Sequence, residues 1–215
     1  NTIMAEELNQ FCDEIEKADN KDKAIKELIK KTFTDHQRII FNGDGYSDAW
    51  VEEAARRGLP NIKNTVDATS VLADPEVIKL FEKHGVFSAV ELAAREEVGY
   101  ENYSKAINIE ARTMIDMASK QIIPAVIKYT TQLAGSLGAV KAACPEADTS
   151  VQAELLTETS DLLSDMKVAL AALIDITEEA ACVDGAETQA RVYHEKVVPA
   201  MAALRTPADK LEMIV

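Results

Sequence analysis

The sequence predicts an all-α protein, an elongated antiparallel bundle of three long helices preceded by several shorter ones. Three observations carry this. Hydrophobic residues make up 47% of the 215-residue chain but aromatic residues only 5%, so the apolar content is mostly Ala, Leu, Ile and Val. Such a mix, rich also in Glu and Lys, suits helices, whose unbranched side chains lose little rotamer freedom. The eight Gly and six Pro fall mostly where helices should start, bend or stop. Finally, apolar residues recur at spacings of three and four over long stretches.

The elements follow in order. A first helix is expected over about 3–18, with Ile3, Met4, Leu8, Phe11, Cys12 and Ile15 on one inward stripe. A second spans about 21–38, with Ala24, Ile25, Leu28, Ile29, Phe33 and His36 inward. The turn-rich loop 41–47 follows, and Ser47 is placed to cap a helix over 48–57 whose Trp50, Val51 and Ala54 point inward. Gly58 with Leu59-Pro60 ends it. Two short helices fill 61–87. Asp74-Pro75 is an N-cap with proline at the first helical position, and Gly85 is a stop.

Ser88 and Glu91 form a capping box opening the longest pattern, about 88–143. Its inward positions are Ile107, Ala111, Met114, Ala118, Ala125, Tyr129 and Leu133, and Pro124 should kink it. After the loop 144–149, a helix over about 150–183 carries Leu155, Thr159, Leu162, Met166, Ala169, Leu173 and Ile176, a heptad seam of period 3.5. A last long helix, about 186–204, is kinked or broken at Pro199, and Thr206-Pro207 caps a short terminal helix. Short links force the long helices antiparallel. At about 1.5 Å per residue the 88–143 pattern outruns its neighbours, so part of it should lie against the N-terminal helices or a partner subunit.

Charge narrows the function. The net charge is −14, and the densest basic stretch, Lys21 to Lys31, is interleaved by Asp22 and Glu27. It reads as a solvated helix face, and binding to nucleic acid is not expected. Cys12, Cys144 and Cys182 are odd in number and widely spaced; they read as ordinary buried or reduced thiols of a cytoplasmic protein. No apolar run reaches the ~20 residues that span a bilayer, and no signal peptide is evident. The first residue is Asn1, not Met, and the chain reads as a piece of a longer protein.

The sequence nominates no catalytic, cofactor-binding or metal-ligating residue. Di-metal bundles need Glu-x-x-His pairs, because positions i and i+3 point two ligands the same way. Here Phe33, Phe81 and Arg191 stand three residues before His36, His84 and His194. Counted from Asn42, the loop has Glu53 at its twelfth position, but Ser47 at the sixth where a calcium loop needs glycine, so a tight turn plus N-cap is the better reading. No phosphate loop is present. Pairs such as Glu96 with Glu97 and Asp161 with Asp165 read as solvated faces among 37 acidic residues.

Two stretches are more than generic helix: DHQRIIFNGDGYSDAWVEEAARRGLPN over 35–61 and YSKAINIEARTMIDMASKQIIPAV over 103–126. Both resemble the C-terminal region of type III glutamine synthetases, the large bacterial form, and LFEKHGVFSAVEL over 80–92 also fits. The likeness is strong over about 25–130 and continues to the end by position and helical character. One departure is the plain Ala93-Ala94-Arg95-Glu96-Glu97, where the family suggests a His or polar residue and a later aromatic. The resemblance implies a parent enzyme that joins glutamate and ammonia using ATP and Mg or Mn. It also implies that those groups are held by a preceding β-rich catalytic domain of the same chain. On this reading 1–60 is the helical tail closing the catalytic domain. Residues 61–215 are a C-terminal helical bundle that packs subunits into a homo-oligomeric ring. The alternative is a free-standing helical adapter whose heptad seam binds a partner helix.

Overall fold

The computed structural model describes residues 1–215. It is 81% helical and has no strand, so the fold is all-α. Two compact units divide it, Asn1–Glu96 and Glu97–Val215.

The first unit holds α1 (Thr2–Glu16), α2 (Lys21–Asp35), α3 (Asp48–Arg56), α4 (Thr65–Ser70) and α5 (Pro75–Lys83). It also holds the first turns of α6 (Ala89–Met117). The local signals act as the sequence suggests. The Asn20, Ser47, Asn64 and Asp74 side chains accept backbone N–H bonds at the starts of α2, α3, α4 and α5. Ser88 and Glu91 close the capping box reciprocally: the Glu91 carboxylate accepts from the Ser88 N–H at 2.8 Å, and Ser88 Oγ accepts from the Glu91 N–H at 3.3 Å. Those bonds hold the Glu91 carboxyl below its ordinary range, the Ser88 backbone bond first. Gly58 (φ 71°) and Gly85 (φ 61°) end α3 and α5 in the left-handed conformation that a side chain would resist.

The packing of α1 and α2 departs from expectation. Only Phe11, Ile15, Ala24 and Leu28 of the predicted stripes are half-buried; Ile3, Met4, Leu8, Cys12, Ile25, Ile29, Phe33 and His36 are exposed. α1 and α2 meet along part of their stripes only, and two thirds of each stripe stays bare. Val51 of α3 is exposed as well.

In the second unit α6 runs through a π turn, Ala118–Ile122, directly into α7 (Ile123–Ala143). Next come α8 (Ser150–Ala181), α9 (Ala186–Val192), a second π turn (Tyr193–Val197) and α10 (Val198–Glu212). α8 packs on α7 and α10, and one core joins Ala111, Val126, Met166, Leu173, Val197 and Leu204. Most of the heptad seam lies in this core: Met166 and Leu173 are buried in it, and Leu162, Ala169 and Ile176 pack half-buried against it. Nearer the start of α8, Thr159 is buried and Leu155 half-buried.

Both prolines expected to disturb the long helices are met in one way. Pro124 and Pro199 each stand two residues after a π turn. Proline lacks the N–H for the i→i−4 bond and its ring crowds the preceding carbonyl; widening that turn relieves both. A π turn also inserts one residue into the helical register. This corrects one expected position: Ala125 is exposed and Val126 takes its place in the core. Pro207 was expected to start a new helix, yet it lies inside α10. Its ring is buried on the same face as Leu204 and Leu211, three before and four after, and that burial offsets the lost hydrogen bond. The cysteines are free and all exposed, not buried.

Candidate interaction surface

No three His, Cys, Asp or Glu side chains converge to hold a metal ion. The histidines lie apart. His36 is exposed. His84 sits 2.7 Å from Glu6, and His194 Nδ1 is 3.2 Å from the Tyr103 hydroxyl, joining the second π turn to α6. Burial pushes the Tyr103 hydroxyl pKa up, helped by the nearby Glu110 charge. Glu154, Glu158, Asp161 and Asp165 line an open strip of α8 where water solvates them.

The heptad seam faces its own bundle, so it is not available to a partner helix. What the structure leaves open is the first unit. Its fully buried apolar side chains are Val66 and Leu92. Against this small core stand two bare rows: Met4 and Leu8 of α1, and Ile25, Ile29 and Phe33 of α2, the last 64% exposed. Scattered exposed hydrophobics are ordinary, but successive i, i+4 positions make a continuous stripe. Lys31 of α2 and Glu14 of α1, 3.8 Å apart, tie the two helices together.

Beyond α2 the loop 41–47 is tightly knit. Phe41 stacks on Trp50 with ring centroids 4.4 Å apart. Arg57 donates to the carbonyls of Arg38 at 3.2 Å and Ile40 at 2.8 Å, while its guanidinium lies 5.6 Å from the Trp50 ring centre. Glu53 receives both Arg56 and Arg57, and those bonds, Arg56 first, hold its carboxyl down at about 2. Asp44 Oδ1 accepts from the Tyr46 N–H at 3.0 Å, and Ser47 Oγ accepts from the Trp50 N–H at 3.3 Å. The loop is thus the tight turn with N-cap that the spacing predicts. Arg57 as a staple was not visible in the sequence, because its partners are backbone carbonyls 17 and 19 residues away. Near the plain Ala93-Ala94 stretch, the Arg95 guanidinium lies 4.1 Å from the centre of the Phe87 ring.

Fold and surface together define a class: an all-α domain whose first unit has little core of its own and an open apolar flank. The chain belongs to the glutamine synthetase C-terminal domain family, whose model matches residues 24–141. It is similar to a glutamine synthetase of Butyrivibrio fibrisolvens, 35% identical over 89% of this chain and 27% of the relative. It is similar also to the type-3 glutamine synthetase of Dictyostelium discoideum, 33% identical over 100% of this chain and 30% of the relative. A glutamine synthetase of Bacteroides fragilis is 32% identical over 99% of this chain and 30% of its own length. The chain therefore spans less than a third of the length of these relatives.

Proposed function

We propose that this chain is the structural and assembly region of a glutamine synthetase, itself non-catalytic, in a parent enzyme that ligates ammonia to glutamate with ATP. Residues 1–60 form the tail that closes the catalytic domain, and residues 61–215 form the bundle that helps pack subunits of the homo-oligomer in the cytoplasm. The observation that carries the reading is the bare apolar flank of α1 and α2 beside a small core. A unit of this size ordinarily buries well over half of the surface its unfolded chain exposes. The missing burial has to come from outside it, and the relatives are more than three times as long.

The residues present do not suit a nucleotide with its divalent metal. Such a site needs oxygen ligands converging on Mg or Mn and donors for the phosphates. The acidic side chains here lie along helix faces, and no three ligating groups meet. ATP and the metal belong to the catalytic domain of the same parent chain.

The test is a γ-glutamyl transfer and ATP-hydrolysis assay on the pure chain with Mg²⁺ or Mn²⁺, beside the full-length parent. The parent turns over and the chain alone does not. Turnover that survives stringent repurification of the chain alone refutes the proposal.

A further inference from the structure

We infer that the loop 41–47 is a preformed anchor whose Tyr46 side chain inserts into the part of the parent protein that precedes this domain. The inference rests on the assignment to a glutamine synthetase C-terminal region and names a specific contact within it. Tyr46 is 102% exposed, so its ring touches nothing in this chain. Its backbone, by contrast, is held firmly. The Asp44 carboxylate takes its N–H, and the Ser47 hydroxyl donates to the Asp44 carbonyl at 2.7 Å. The loop's base is fixed by the Phe41–Trp50 stack and by Arg57 on the Ile40 carbonyl. Gly43 belongs to the same design: a Cβ there would stand 2.8 Å from the Phe41 ring.

A turn this restrained around a bare aromatic is costly to solvate and cheap to dock. The backbone entropy of ordering is already lost, and a Tyr ring has only two torsions to freeze. Aromatic side chains set in pockets are the usual anchors of protein interfaces. Ile39, Ile40 and Val51, on either side of the loop in sequence, are also exposed. The occupant follows from the lengths. The matching family is a C-terminal domain, and about 70% of each relative lies outside the matched region. The receiving site is a mainly apolar pocket with a hydrogen-bonding group for the phenol.

The experiment uses the full-length parent protein with photoreactive p-benzoylphenylalanine placed at Tyr46, and separately at Phe33 as a second probe. Crosslinked peptides are mapped by mass spectrometry. The inference expects the probe at position 46 to join peptides of the preceding portion, in its own or a neighbouring subunit. Adducts only with solvent or with residues of this domain overturn it. If position 33 crosslinks to the preceding portion and position 46 does not, the anchor fails while the assembly reading stands; if neither does, both fail. A second measurement compares thermal midpoints of the full-length protein. Tyr46→Ala should lower the midpoint and Tyr46→Phe, which keeps the ring, should recover most of the loss. Equal midpoints for wild type and Tyr46→Ala refute the inference.

Discussion

His84 Nε2 lies 2.7 Å from Glu6 Oε2, joining the end of α5 to the middle of α1 across 78 residues of sequence. The other Glu6 oxygen accepts from Lys83 Nζ at 2.7 Å and from Gln10 at 2.8 Å. The Glu6 side chain is only 17% exposed, and these bonds, Lys83 first, hold its carboxyl down at about 2 from an ordinary 4.5. A carboxyl whose pKa falls on folding stabilises the fold fully above its unfolded value, and that contribution disappears as pH drops to the folded value.

Melting the chain from pH 7 to pH 2 tests this link. Wild type should be more stable than Glu6→Gln by a constant margin above about pH 5. The margin should shrink between pH 4.5 and about 2, the interval set by the two pKa values of Glu6. A margin unchanged at pH 2 would show that the ionised carboxylate is not the stabilising species.

Gly43→Ala tests the loop through the only tryptophan, Trp50. The added methyl would stand 2.8 Å from the Phe41 ring, which the Trp50 stack holds in place. One ring must yield, so Trp50 emission should shift and the near-ultraviolet dichroism of the pair should weaken. Overpacking of this kind costs about 1–3 kcal/mol. An unchanged tryptophan spectrum would show that Phe41 moves freely and that the loop is not prearranged.

The bundle offers a graded test. Leu173 is fully buried, Leu162 half-buried and Lys167 exposed, all on α8. Leu173→Ala should cost ~2–5 kcal/mol in urea melts through lost burial and a cavity. Leu162→Ala should cost less than Leu173→Ala, and Lys167→Ala under ~0.5 kcal/mol. A Leu173→Ala variant as stable as wild type would mean that α8 does not form the core.

Caps and periodic seams were legible in the sequence because they are local. Ser47, Asp74 and the Ser88–Glu91 pair act within three residues, and the α8 heptads repeat over many turns. Four things were not legible. Pro124 announced a disturbance, but whether the helix would kink or widen depends on the surrounding core, and the π turn moved Val126 to the place expected of Ala125. Pro207 carries a start signal, which burial beside Leu204 and Leu211 overrides. Amphipathic pattern shows that a stripe is apolar, not what covers it, so the bare rows on α1 and α2 were expected to be inside. The contacts of Glu6 and Arg57 join residues distant in sequence, and no spacing rule reaches them.

Those bare rows give the sharpest test of the assembly role. Phe33 is 64% exposed and lies on one helix face with Ile25 and Ile29. In the chain alone, Phe33→Ser removes little buried area, so it should change stability by no more than ~0.5 kcal/mol. It should also reduce any self-association, since exposed apolar stripes drive it. In the full-length parent the same ring would be covered, and its loss should cost several times more, as buried aromatic truncations do at about 3–5 kcal/mol. Denaturant melts of both proteins, with sedimentation to follow oligomeric state, read the two effects separately. A cost that is small in both would show that the α1–α2 flank stays in water in the parent enzyme. A large cost in the chain alone would show that Phe33 already belongs to a core within the first unit.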